Sequence, residues 1–170
     1  MENDLLDIVD DEDRPVGQAS RKHIHEYGLK HRAVHVLIFN SKNQLFLQKR
    51  SKTKDTHPNK WDSSASGHVD TGEEYHFSAK REIIEELGVQ IANLKPLFKI
   101  DACMETGNEF VWVYQSEYDG HFKLNENEID SGAWQNLQAI DSWMRSKPED
   151  FTLALLKIWT ELKTRKIVKI

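Results

Sequence analysis

GHVDTGEEYHFSAKREIIEELGV, residues 67–89, combines an acidic helix with two upstream glycines and is the most informative segment of the chain. Its second half predicts a helix from about Glu74 to Leu87, stopped by Gly88. A helix advances about 100° per residue, so Glu82, Glu85 and Glu86 share an arc of roughly 100°. Ile83, Ile84 and Leu87 cover a similar arc on the opposite side, which suits burial. The expectation is a helix with core on one side and an anionic patch on the other. Like charges at i,i+4 destabilise a helix, and a bound cation explains such a cluster better than structure alone. The plain alternative is a solvated acidic face, the usual meaning of a charge run. Gly67 and Gly72 fit a tight corner ahead of the helix, where backbone must turn and approach closely.

Outward from this stretch, short elements alternate. Ala33 to Phe39 is β-branched and apolar and predicts a buried strand, returned by Leu45 to Gln48 across the turn at 40–43 as a hairpin. Upstream, Leu5 to Val9 with Pro15 and Gly17 reads as a small hairpin, and Arg21 to Gly28 as a helical turn. Downstream, Leu97 to Ala102, Phe110 to Gln115, Phe122 to Leu124 and Ala133 to Trp134 read as strands, with Asp119-Gly120 as a hairpin turn. Ala139 to Arg145 and Phe151 to Lys163 read as helices, the second with Pro148 on its N-terminal side. No repeat, low-complexity tract or long linker divides the chain, so residues 1–170 are expected to form one α+β domain.

Composition agrees with that. The chain has 170 residues, 38% hydrophobic and 30% charged, within the range of ordinary globular proteins. Its net charge of −5 argues against a nucleic-acid polymer as partner. Cys103 is the single cysteine, so no intrachain disulfide forms and a reducing, cytoplasmic setting is expected. The acidic start MENDLLDIVDDEDRP is unlike a signal peptide, and no apolar run reaches the ~20 residues of a membrane helix. No membrane partner is expected; a homodimer is the base-rate assembly.

From Gly67 to Val89 the spacing resembles the Nudix box position for position: Gly67, Glu73, then Arg81-Glu82-Ile83-Ile84-Glu85-Glu86-Leu87-Gly88-Val89. The resemblance implies the Nudix fold, a mixed β-sheet sandwiched between α-helices. It also implies metal-dependent hydrolysis of a diphosphate linkage in a nucleotide or other small molecule. It assigns Glu85 and Glu86 as main metal ligands with the Gly67 carbonyl, and Glu82 as a second-metal ligand or base. Arg81 and Glu73 are expected to pair and brace the loop–helix corner.

A narrower resemblance lies outside the box. HRAVHVLIFNSKNQLFLQKRS, PNKWDSSASGHV and the acidic extension of residues 1–30 look like the isopentenyl-diphosphate isomerase branch of the superfamily. Those isomerases place a catalytic cysteine where this chain has Ser66, and a further metal-binding acid where it has Gly107. His68 matches one of their metal-binding histidines and Glu109 aligns with a catalytic acid. An isomerase-like enzyme is therefore the enzymatic rival, argued against by Ser66, Gly107 and the intact box. A non-catalytic diphosphate sensor is the other rival, and a broken box would be its expected mark.

The chemistry suits these residues. Mg²⁺ (or Mn²⁺) takes oxygen ligands and retains substrate phosphates in its shell, and clustered carboxylates can hold metals that activate water. Arg81, Glu82, Glu85 and Glu109 are the expected catalytic residues. Among Lys49, Arg50, Lys52, Lys54 and Lys60, each read singly as a solvated loop cation, Lys49 and Arg50 join His68 as candidates to meet a substrate phosphate. His31, His35 and His68 read singly as packed or surface histidines, and Trp61, Trp112 and Trp134 as core.

Overall fold

The computed structural model describes residues 4–170. Two strands open it, β1 (Leu5–Val9) and β2 (Pro15–Ser20), paired antiparallel as a separate ribbon. Helix α1 (Arg21–Tyr27) follows, capped by the Ser20 side chain and ended by Gly28 in the left-handed region. The remaining strands are β3 (His31–Phe39), β4 (Gln44–Arg50), β5 (Trp61–Asp62), β6 (Ala65–His68), β7 (Lys95–Ile100), β8 (Glu109–Glu117) and β9 (Ile129–Asn136). Helix α2 (Tyr75–Leu87) lies between β6 and β7, while α3 (Leu137–Ser146) and α4 (Leu153–Thr164) follow β9.

The seven-stranded sheet is mixed. β3 pairs with β8 in parallel along its length, and β7 extends that side antiparallel. The expected hairpin at 40–43 forms its turn, but β3 and β4 share only the Phe39–Leu45 pair. The strands then part: β6 takes the freed edge of β3, and β9 pairs along β4. Alternation sorts the side chains of β3 to two faces. Val34, Val36 and Ile38 join Ala79, Ile83 and Leu87 of α2. Ala33, Leu37 and Phe39 join Ile140 of α3 and Leu155, Ile158 and Leu162 of α4. The sheet is thus sandwiched between α2 on one side and α3 with α4 on the other.

Three local expectations are corrected. Ile84 is not buried but 46% exposed, because α2 packs through two adjacent rows, Ala79–Ile83–Leu87 and Ser78–Glu82–Glu86. The acidic side of the helix is therefore partly interior. Residues 122–124 form no strand: Lys123 N–H donates to Leu87 O and Asn125 N–H to Glu86 O, tying the segment to the end of α2. Asp119-Gly120 joins no hairpin, since β8 and β9 do not pair; Asp119 instead accepts from the N–H and hydroxyl of Ser41. Among the described residues no helix is long and apolar enough to cross a membrane.

Candidate active site

The corner between β6 and α2 is built around Arg81. Its Nε and Nη2 bond the Glu73 carboxylate at 2.9 and 3.0 Å, and Nη2 also donates to His68 O at 3.0 Å. Nη1 reaches Glu82 at 2.8 Å and Glu85 at 3.1 Å. The side chain so ties the loop at His68 and Glu73 to the helix. Burial alone would push the Glu73 carboxyl up, but the bonds from Arg81 and Ser78 hold it below its ordinary value.

Glu82 and Glu86 are buried beside this corner. Burial pushes the Glu82 carboxyl up to about 8, against the pull of Arg81 and with the repulsion of Glu85. Burial and then the charge of Glu82 drive Glu86 well above its ordinary value, opposed by the N–H of Ser66 at 2.7 Å. Gln48, fully buried on β4, donates to Glu86 at 3.3 Å and to Ser64 O at 3.2 Å. Two interior carboxylates lacking equal countercharge fit a hard divalent cation by the chemistry of their donors. Glu85 stands apart, with a side chain 54% exposed and turned to Arg81. The three glutamates therefore share one helix without converging on one point.

The convergent group lies a short way off. His25, His31, His68 and Glu109 each bring one ligand atom within 4.8 Å of the others. Nε2 of His25 and His68 face each other at 3.3 Å, and Glu109 Oε1 lies 3.0 Å from His68 and 3.2 Å from His31. His31 Nδ1 is 2.9 Å from Leu29 O, which fixes that ring with Nε2 toward Glu109. Burial lowers the His25 imidazole to about 4, with further repulsion from His68, Arg21 and His31. Burial would raise Glu109, but its bonds from His31 and His68 outweigh that and leave it far below the carboxylate range. Three imidazoles around an ionised carboxylate form a donor set suited to a transition metal.

Glu86 of the first group and His25, His68 and Glu109 of the second line one cavity of about 330 Å³. Gly67 and Ser66 line it too, as do the cations Arg21, Arg50 and Lys54. Of the expected phosphate contacts, Arg50 and His68 line this cavity and Lys49 does not. Arg50 is held by Thr56 O at 2.9 Å and lies 3.6 Å from Asp62. Lys54 pairs with Glu128, Arg21 with Asp55 at 2.5 Å, and Lys60 is drawn away to Glu149 O. Trp61, Trp112 and Trp134 pack against the two cores, outside the cavity.

Sequence reasoning missed Arg21, His25 and Gln48, and read His31 as a packed or surface histidine. A signal for the histidines existed: of eight in the chain, His23, His25, His31 and His35 fall within residues 23–35. Only folding shows which of them meet.

The comparisons with known proteins agree with this architecture. The sequence model of the NUDIX domain matches residues 29–155. The chain is 30% identical over 160 residues to "Isopentenyl-diphosphate Delta-isomerase 2" of Photorhabdus laumondii, covering 92% of this chain and 90% of the relative. It is 38% identical over 130 residues to an uncharacterized Nudix hydrolase of Pseudomonas aeruginosa, covering 74% and 75%. A crystal structure from Deinococcus radiodurans superimposes with a TM-score of 0.75 at 31% identity, over 84% of this chain and 89% of that one. With three quarters of its length matched by the domain and its fold shared with solved relatives, this chain belongs to the Nudix family.

Proposed function

We propose that this protein is a Mg²⁺-dependent Nudix hydrolase that cleaves a diphosphate linkage in a small molecule. The observation that carries the reading is the buried Glu82–Glu86 pair beside the Arg81–Glu73 brace, with Glu86 and Gly67 lining a cavity that also carries Arg21, Arg50 and Lys54. Glu86 and the Gly67 carbonyl would hold the metal, joined by Glu85 once its side chain turns from Arg81. When bound, the metal supplies charge neutralisation at the phosphoryl oxygens and a more acidic water. Arg50, Lys54 and Arg21, which line the same cavity as Glu86, hold the diphosphate there. Water attacks phosphorus, Glu82 takes its proton, and the bridging P–O bond breaks toward the departing phosphoryl or alkoxyl oxygen. Gln48 and the Ser66 N–H keep Glu86 in one orientation throughout.

The histidine cluster favours a second reading, an isomerase acting on isopentenyl diphosphate. His25, His31, His68 and Glu109 supply a complete N/O ligand group, and similarity to named isomerases covers most of the chain. Ser66 opposes it, because a hydroxyl stands where the resemblance requires a thiol. Product analysis after incubation with a panel of nucleoside, sugar and isoprenoid diphosphates in Mg²⁺ separates the two. Phosphate-containing fragments support hydrolysis; interconverted isomers with the diphosphate intact support the rival.

A further inference from the structure

His35 belongs to neither group of metal-ligand candidates, yet it lines the same cavity. It sits mid-strand in β3, opposite Ser66 of β6 and in register with Val113 of β8, and it is 5% exposed. Its Nδ1 lies 2.7 Å from Ser63 Oγ. The Ser63 hydroxyl is fully buried and has no other partner among the described residues. A buried hydroxyl hydrogen needs an acceptor, so it is donated to Nδ1. With Nδ1 accepting, the ring carries its proton on Nε2.

No protein group partners Nε2 among the described residues. Asp62 does not change the assignment. Its nearest oxygen is 3.7 Å from Nδ1, and its carboxylate is engaged by Thr152 Oγ1 at 3.1 Å, Ser63 N–H at 2.8 Å and Arg50 at 3.6 Å. The result is a nearly buried N–H donor of fixed tautomer, on a cavity wall that also carries Arg50. Cations attract a phosphate without fixing its orientation; a rigid N–H donor supplies that direction.

We propose that His35 is a substrate-binding residue of this cavity, presenting Nε2–H to a non-bridging oxygen of the substrate's diphosphate, with Ser63 as its positioning residue. The proposal rests on the hydrolytic reading above and adds to it a contact outside the box.

The test is calorimetric binding of inorganic diphosphate to the full chain in Mg²⁺, with Mn²⁺ affinity measured separately by electron paramagnetic resonance. One donor to a charged acceptor predicts that His35→Phe weakens diphosphate binding by about 10–100-fold. His35→Gln, which keeps an N–H, should fall between the two, and Ser63→Ala should weaken binding by roughly threefold to tenfold through loss of the fixed tautomer. Mn²⁺ affinity should stay at the wild-type value in all three. Unchanged diphosphate affinity in folded His35→Phe, or a parallel fall in Mn²⁺ affinity, overturns the proposal. If His35→Phe does not fold, unchanged affinity in Ser63→Ala overturns it instead. Wild-type protein that binds no diphosphate at all removes the hydrolytic reading and this contact together, an outcome distinct from the others.

Discussion

The Glu82 carboxylate occupies the space that a side chain at Gly67 would need: a Cβ there would lie 2.1 Å from Glu82 Cδ. This is why the corner requires glycine, more than any need for a left-handed backbone. The clash is with the mobile end of a side chain, so the backbone need not move. Gly67→Ala should therefore displace Glu82 and leave the fold, costing about 1 kcal/mol of stability. Turnover should fall by about 10²-fold, the usual effect of an ångström-scale misplacement. Circular dichroism with a steady-state assay checks both halves.

Glu86→Gln should act with opposite signs on stability and on catalysis. Without metal, it removes a buried like charge beside Glu82 while keeping an acceptor for the Ser66 N–H. The metal-free variant should melt higher than wild type at pH 8.5, each kcal/mol being worth roughly 2–4 °C at this size. In Mg²⁺ the order should reverse, and activity should drop by about 10²-fold or more. Thermal melts in chelator and in Mg²⁺ give the comparison directly.

The pH dependence of the metal-free protein follows from two groups of opposite sign. Glu82 is raised from 4.5 to about 8, so the folded state binds its proton more tightly than the unfolded chain. That stabilisation is complete below about 4.5 and is lost as pH rises through about 8. His25 is lowered from 6.5 to about 4, so its contribution is complete above 6.5 and lost as pH falls through about 4. Above 6.5 only the Glu82 slope remains, reinforced by Glu86. Melting temperature in chelator should fall from pH 6.5 to 8.5, and the increase caused by Mg²⁺ should grow over the same range.

The histidine cluster should bind a transition metal independently of the glutamates. Co²⁺ is a suitable probe because its visible absorption reports nitrogen ligation. His25→Ala should weaken Co²⁺ binding by at least about tenfold, since it removes a direct ligand where even indirect partners are worth 10–100-fold. Glu86→Gln should leave the Co²⁺ spectrum unchanged. A His25→Ala protein with wild-type Co²⁺ affinity would show that the four residues do not act as one site.

Much of the corner was legible because it is local. Arg81, Glu73 and Gly67 lie within fifteen residues of one another, and helical spacing with glycine placement encodes their geometry. Ile84 was misplaced because α2 buries a polar row that burial-by-hydrophobicity cannot anticipate: Ser78, Glu82 and Glu86 are inside for their chemistry. The cavity wall was harder still. His25 meets His68 across 43 residues, and Gln48 meets Glu86 across 38, contacts set by how β3 and β4 part after one shared pair. Lys49 shows the same limit, since β-strand alternation puts it and Arg50 on different sides once the register is known. The segment at 122–124 has strand composition, but the end of α2 claims its backbone donors first.

The most direct test of the central claim is a product assay in ¹⁸O-labelled water, read by ³¹P nuclear magnetic resonance. Wild-type and Glu86→Gln proteins are incubated with the diphosphate panel in Mg²⁺. The hydrolytic account predicts Mg²⁺-dependent cleavage of at least one substrate, with ¹⁸O on one phosphorus of the products and label appearing about 10²-fold more slowly, or not at all, with the folded Glu86→Gln protein. Recovery of every substrate with its diphosphate intact, whether unchanged or isomerised, would contradict it.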